Sequence, residues 1–393
     1  MIGIESFLLL LVALSFVALV FGLLLRYLRQ PSVVAYILTG MVAGPSVLGV
    51  IGDSDLISQV GSLGVVMLLF FAGMQIDLKK LIANWKIALL GTFFQIVVSI
   101  LFVASAASFM GWPFPLVILF GFVISLSSTA VVLRILESKG KTNSKLGRDV
   151  ISILLVQDFA VVPMIIVITY FGGTEVSRLE TILQAAGFAL MLGFVLWLSR
   201  IKSVRIPFRD RIVQDPEFQL LWSFAVCFGF ALLTGFFHLS AALGAFIAGL
   251  FVRSAKQTEW VAGSLRPFKT MFLALFFVSI GLMMHLGFVM ENLPGILLLV
   301  FFIFLSNTFI NAAIFRLLGE TWGHGLYAGS LLAQIGEFSF ILIIIGLDSG
   351  VISYDMYELA ISVIAFSLIL SPAWMTLFSG FSNNISKKLH IAQ

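Results

Sequence analysis

Gln157-Asp158 is the pair through which this chain could do chemistry. It lies inside an apolar stretch running roughly from Ile151 to Tyr170. Asp158 follows Asp149, taken from the charge pattern as the helix start, by nine residues. At the rise of an α-helix that is ~14 Å, near the middle of a hydrocarbon layer ~30 Å thick. A carboxylate at that depth costs at least a few kcal/mol unless the protein receives it, which makes it a functional group by default. Such a group can bind either a proton or a cation that has shed its water.

Three further clusters could serve Asp158. The run Ser125-Leu126-Ser127-Ser128-Thr129 carries four hydroxyls in five residues. They could satisfy backbone groups freed by a broken helix, or back-bond within an intact one; the sequence alone leaves both open. Gln334-Ile335-Gly336-Glu337 puts a glycine and a carboxylate about twelve residues into another span. Glu337 reads as a structural carboxylate facing the N-terminus of a nearby half-helix. Ser306, Asn307, Thr308 and Asn311 interrupt a Phe/Leu/Ile run, as Gln95 does another, and all should face the interior of a helix bundle. Pro163, five residues after Asp158, should bend that helix and release a carbonyl.

The elements that must position these residues are membrane helices. Of 393 residues 60% are hydrophobic and 11% charged, and the mean hydropathy is +1.13. That excludes a soluble domain of this length. Apolar runs of about twenty residues without two-residue alternation exclude a β-barrel. The single cysteine, Cys227, can form no internal disulfide. The net charge of +4 records topology rather than a nucleic-acid partner. No short apolar region with a cleavage site follows Met1, so no removable signal peptide is expected.

Thirteen spans are expected, at 5–25, 31–49, 57–76, 87–110, 115–136, 149–170, 181–199, 217–236, 240–253, 268–286, 295–317, 325–347 and 356–380. With the N-terminus outside and the C-terminus cytoplasmic, 22 of the 23 Lys and Arg fall on the inner side, and only Arg178 is outside. That asymmetry fixes the orientation and supports the count.

Leu38–Gly44 of the second span matches Leu243–Gly249 of the ninth, and Leu69–Asp77 of the third matches Phe277–His285 of the tenth. An offset of seven spans gives the copies opposite topology. Inverted repeats place a transporter's substrate site at their interface, commonly between two interrupted helices. The fold expected is therefore an all-α polytopic membrane protein, one domain over 1–393, with a first repeat at about 31–199 and a second at about 240–380. The interrupted helices would be the fifth and twelfth spans.

No Walker A loop, HExxH motif or Cys/His cluster is present, and the histidines His238, His285, His324 and His390 fall at loop or span edges. No span carries a row of basic residues, which argues against a voltage sensor. Neither an enzyme nor a cofactor is indicated.

Carried by Ser127-Ser-Thr-Ala130, Gln157-Asp158 with Pro163, Leu275-Phe-Phe-Val-Ser-Ile-Gly281 and Gln334-Ile-Gly-Glu-Phe338, the chain resembles the monovalent cation:proton antiporter-2 family. That family includes bacterial Na+/H+ antiporters and the membrane domain of glutathione-gated potassium efflux systems. The resemblance implies a homodimer of thirteen-helix protomers in a bacterial inner membrane, with a core, built on two crossed, discontinuous helices (the fifth and twelfth spans), that moves against a dimerisation domain. Gln-Asp, rather than Asp-Asp, is similar to the potassium-associated members. Many members carry a lysine where this chain has Asn307, so the charge swap of a lysine is not expected here. The cytoplasmic nucleotide-binding domain of the efflux systems has no counterpart in these 393 residues.

The expected function is exchange of K+, or else Na+, for H+ by competition at Asp158, through elevator-type alternating access. Gln157, Ser127, Ser128 and Thr129 are the expected neutral oxygens around the cation, and Glu337, Gln334 and Asn307 the supporting groups. Burial lets a proton compete with the cation at cellular pH. A bare carboxylate does not cross a low dielectric cheaply, and that couples the two fluxes. The alternative of another class is a gated potassium pathway not coupled to protons.

Overall fold

A computed structural model describes residues 4–27, 30, 32–44, 47–49, 54–75, 86–142, 144–172, 178–200, 209–237, 239–254 and 259–391. Among them the regular structure is helical, with one isolated antiparallel bridge, Ser127 to Ile335. In chain order the helices are α1 (Ile4–Tyr27), α2 (Ser32–Ala43), α3 (Ser54–Gln75), α4 (Gly91–Ala107, entered through a π turn at Lys86–Leu90), α5 (Phe114–Ser125) and α6 (Thr129–Ser138). Then come α7 (Lys145–Phe171), α8 (Arg178–Arg200), α9 (Arg209–Gln214), α10 (Pro216–Phe236), α11 (Ala241–Ser254) and α12 (Glu259–Ser264). The last are α13 (Arg266–Met283), α14 (Leu286–Leu317), α15 (Trp322–Leu331), α16 (Phe338–Asp348) and α17 (Tyr354–Ile391).

Among the described residues five helices are long and apolar enough to cross a membrane, α7, α10 and α14 among them, and shorter apolar helices accompany them. Their outer faces leave Leu101, Phe102, Leu298, Phe301 and Phe302 exposed. In a multi-pass membrane protein those side chains meet lipid.

The chain forms two compact units. One comprises Met1–Gly52, Ala83–Gly172 and Ile280–Gln393 and holds every sequence-derived candidate residue. Its interior is packed around Tyr357, Phe315, Phe340 and Leu119. Within it Gly281 lies so close to α2 that a Cβ would stand 2.0 Å from the Ile37 carbonyl oxygen. The other comprises Asp53–Ile82 and Gly173–Ser279, with Met67, Phe70, Cys227 and Ala245 in its core. There Gly73 and Gly249 bring α3 and α11 into backbone contact, each leaving its partner's carbonyl 2.2 Å from a would-be Cβ.

The helix carrying Asp158 starts at Lys145, not at Asp149. The Ser144 hydroxyl accepts from the Gly147 N–H and supplies the N-cap. The charge pattern misled because Lys145 and Arg148 occupy the exposed side of the first turn while Asp149 turns inward and is buried. Asp158 is then the fourteenth of 27 residues, still the middle of a helix ~40 Å long. Pro163 sits inside α7, which continues beyond it to Phe171. Of the residues used for orientation and repeats, Arg29, Ile76, Asp77, Lys79, Lys80, Lys202, Arg205 and Lys256 lie outside the described residues, as does His238.

Candidate functional site

Two short non-helical segments lie buried among the described residues, between Ser125 and Thr129 and between Leu331 and Phe338. Each departure frees backbone donors and acceptors inside a buried region. A buried group left unpaired costs about 1–3 kcal/mol, so each needs a partner.

Part of the pairing comes from one break to the other. The Gly336 N–H donates to the Leu126 carbonyl at 2.9 Å, and the Ser127 hydroxyl donates to the Leu332 carbonyl at 2.8 Å. Gly336 is required for this approach, because a Cβ there would stand 2.6 Å from the Ser127 carbonyl oxygen. The rest comes from side chains of intact helices. Asn307 of α14 donates to the Ile124 carbonyl at 2.8 Å and the Ala333 carbonyl at 3.1 Å, joining the two breaks with one amide. Ser367 of α17 accepts from the Ile335 N–H at 3.2 Å.

Gln157 is spent the same way. Its Oε1 accepts from the Ser127 N–H at 3.0 Å. Its Nε2 donates to the Ser125 carbonyl at 3.1 Å and to Gln95 Oε1 at 2.7 Å. The fifth-span hydroxyls thus stand at a real break rather than within an intact helix.

Asp158, one residue on, points to the other side of this brace. Its carboxylate is 9% exposed, and both oxygens lie 3.2 Å from the Thr129 hydroxyl. Thr129 is the first residue of α6, so the carboxylate stands at a helix N-terminus, where backbone dipoles favour negative charge. Ser128 turns instead to Glu337, donating to Oε2 at 2.8 Å, and Glu337 occupies the N-cap of α16. Gln334 reaches the Ser128 carbonyl at 3.5 Å through Nε2. Its Oε1 and the Oδ1 of Asn307 are buried neutral oxygens that accept no hydrogen bond.

The structure therefore gathers all eight sequence-derived residues around the two breaks. Asp158 and Thr129 face one another; Gln157, Ser127 and Asn307 hold backbone; Ser128, Glu337 and Gln334 tie the second break to the first. The arrangement can present the Asp158 carboxylate and a few neutral oxygens to an ion without its water. Among the described residues no three His, Cys, Asp or Glu side chains gather as a metal site. Ser367 escaped the sequence reading, since a lone serine in an apolar run carries no signal.

The transmembrane sodium/hydrogen exchanger family matches residues 12–378. A protein named iron transporter MagA, from Paramagnetospirillum magneticum, is 34% identical over 354 residues, covering 90% of this chain and 81% of its own. K(+) efflux antiporter 5 of Arabidopsis thaliana is 29% identical, covering 92% of this chain. The glutathione-regulated potassium-efflux system protein KefC of Salmonella schwarzengrund is 28% identical, covering 88%. The chain spans 65% of the first of these two efflux proteins and 56% of the second. The solved sodium proton antiporter MjNhaP1 of Methanocaldococcus jannaschii has the same fold, with a TM-score of 0.66 at 17% identity over 96% of this chain and 98% of that one.

Proposed function

The chain belongs to the sodium/hydrogen exchanger family, and we propose that it exchanges a monovalent cation for a proton at Asp158. The observation that carries this is one buried carboxylate, in the middle of α7, held at the N-terminus of α6 by Thr129. The proton and the cation compete for that carboxylate. Thr129 supplies a neutral oxygen, and the unspent oxygens of Asn307 and Gln334 are nearby candidates at the breaks. Gln157, Ser127, Ser128 and Glu337 hold the broken backbone in register. Asp158 crosses loaded with one ion or the other, because a bare carboxylate in a low dielectric is costly.

Potassium is the preferred cation. The amide of Gln157 stands where a second carboxylate would add charge, and two relatives bear the name of potassium efflux proteins. Sodium is the alternative, supported by the name of the structural neighbour. With one carboxylate and Asn307 in place of a lysine, the exchange is one for one and moves no net charge.

The architecture proposed with it is thirteen membrane helices, N-terminus outside and C-terminus in the cytoplasm of a bacterial inner membrane, in two inverted repeats over about 31–199 and 240–380. The glycine contacts support the repeat. The second span meets the tenth through Gly281, and the third meets the ninth through Gly73 and Gly249, the exchange of partners that a two-fold relation requires. Alternating access by an elevator-type motion, and a homodimer, complete the reading.

The test is proton flux in proteoliposomes at clamped potential with an imposed pH gradient, comparing K+, Na+, Fe2+ and choline. K+ should dissipate the gradient, and Asp158→Asn should lower the flux to that of protein-free liposomes. Exchange that survives in Asp158→Asn sinks this mechanism. Potassium movement without proton movement gives the channel reading in its place.

A further inference from the structure

The brace behind the first break ends in two side-chain amides whose orientations are forced. Gln157 is set by backbone: its Oε1 takes the Ser127 N–H and its Nε2 donates to the Ser125 carbonyl. The other N–H of that Nε2 needs an acceptor, and Gln95 of α4 presents its Oε1 at 2.7 Å. Gln95 Nε2 is thereby turned away with two N–H groups. It has no hydrogen-bond partner, although Gln95 is fully buried.

Asn311 of α14 is fixed in the same manner. Its Nδ2 donates to the Asn307 carbonyl, one turn back, at 2.8 Å, which makes Oδ1 the outward end. That oxygen is buried and accepts no hydrogen bond. Ser99, one turn beyond Gln95 on α4, is also fully buried, with an unpaired hydroxyl.

The three residues stand at one level. A Cβ on Gly91, at the start of α4, would lie 3.8 Å from Leu318 Cδ1, at the end of α14. Asn307 and Gln157 take the adjacent Ile124 and Ser125 carbonyls, so α14 runs back along α4 from that contact. Gln95 and Ser99 then lie ~6 and ~12 Å along the seam. Asn311, seven residues before Leu318 and on its face, lies ~10 Å along it.

A buried donor and a buried acceptor thus flank one seam without bonding each other. Leaving both unpaired is costly in a low dielectric. One water molecule satisfies both. It accepts from Gln95 Nε2, donates to Asn311 Oδ1, and has a second proton for the Ser99 hydroxyl. A cation is a poor fit, because the Gln95 N–H groups point into the same space and none of the three side chains carries a charge.

We propose that the seam between α4 and α14 is a water-binding site closed by Gln95, Ser99 and Asn311, and that the bound water holds Gln95 in the orientation that braces Gln157. The site stands apart from Asp158, which turns to Thr129 on the other side of the brace. Gln95, Ser99, Gln157 and Asn311 all belong to one compact unit.

A cryo-electron microscopy map of the wild-type protein, fine enough to resolve water, should show ordered density within about 2.7–3.2 Å of both Gln95 Nε2 and Asn311 Oδ1. The two amides bonded directly to each other, or a seam without density, overturn the site. Thermal unfolding in detergent gives a sign as well. Asn311→Leu gives up only a bond to a carbonyl already inside the helix. In a dry seam it replaces an unpaired oxygen by a methyl group, so the midpoint holds or rises. With water bound, the water loses a partner and Gln95 is stranded, so the midpoint should fall by a few degrees. Gln95→Met combined with Asn311→Leu should lose less than the sum of the single changes, since both cut one bridge. A midpoint that holds in Asn311→Leu, or losses that add, overturn the proposal.

The effect on transport rests on the antiport reading. Asn311→Leu should lower the maximal flux and leave the apparent cation affinity unchanged, because the bridge holds Gln157 and not Asp158. A shifted affinity would place the seam in the ion path and overturn the bracing role. The map and the unfolding read the site whether or not transport occurs, so failure of exchange in wild type is distinguished from failure of this site.

Discussion

The two breaks are the same device built from different parts. The first, at Ser125–Thr129, is held largely by side chains from intact helices: Gln157 takes the Ser127 N–H and the Ser125 carbonyl, and Asn307 takes the Ile124 carbonyl. The second, at Leu332–Glu337, leans on the first, through Ser127 to Leu332 and Gly336 to Leu126, with Asn307 and Ser367 completing it. The first meets Asp158 through Thr129. The second ends in a carboxylate that receives Ser128, the neighbour of Thr129. Matched backbone geometry thus serves unequal chemistry: one break presents the carboxylate proposed to bind the ion, and the other braces that break. Substitutions in the second should act on stability and on the first break together, whereas substitutions at Thr129 should act on ions.

The amide shared by both breaks should give the largest effect. Asn307→Leu keeps the volume but strands the Ile124 and Ala333 carbonyls, about 1–3 kcal/mol for each. Both breaks should loosen at once. Thermal unfolding in detergent should show a lower midpoint, and proton flux should fall with it. An Asn307→Leu protein with wild-type unfolding would mean that the breaks do not depend on a common tie.

Gly336→Ala comes next. Its Cβ would meet Ser127 backbone, which cannot rotate away as a side chain can. Overpacking of this kind costs about 1–3 kcal/mol. The displaced atoms belong to the first break, so flux should drop although the substitution lies in the second. Stability lost with flux retained would separate the breaks.

Gln157→Leu tests the first break from its own side. It leaves the Ser127 N–H and the Ser125 carbonyl without Gln157, a loss of about 1–3 kcal/mol per stranded group. Its position also shows what the sequence could and could not disclose. The depth of Asp158 was readable, because an acid in a twenty-residue apolar run can be counted from the ends. The break near Ser127 was readable as one of two options, from hydroxyl density alone. Gln157 read as a cation ligand because it adjoins Asp158. Adjacent residues on a helix point about 100° apart, and Gln157 turns to backbone thirty residues away while Asp158 turns to Thr129. Asn307 was readable as an inward polar group, but not as the tie between Ile124 and Ala333, since those partners stand 183 and 26 residues from it. His324 falls at a span edge in the sequence, and the inward turn of Asp149 is hidden there by Lys145 and Arg148 on the same helical turn.

The smallest effects should be the most informative, because they separate ion chemistry from bracing. Thr129→Val keeps the shape and removes the hydroxyl that both Asp158 oxygens approach. Ser128→Ala removes the hydroxyl one residue earlier, which goes to Glu337. Side-chain hydrogen bonds between membrane helices are worth about 0.6 kcal/mol on average, so neither substitution should unfold the protein. Thr129→Val should weaken the apparent cation affinity severalfold, with the maximal flux nearly kept, since it deletes a neutral oxygen from the ion's shell. Ser128→Ala should leave that affinity alone, and a double-mutant cycle with Glu337→Gln should recover a coupling of about 0.5–1.5 kcal/mol in stability. If Ser128→Ala instead shifts the cation affinity as far as Thr129→Val does, then Glu337 reaches the ion through Ser128. The second break would then belong to the binding site and would be more than its support.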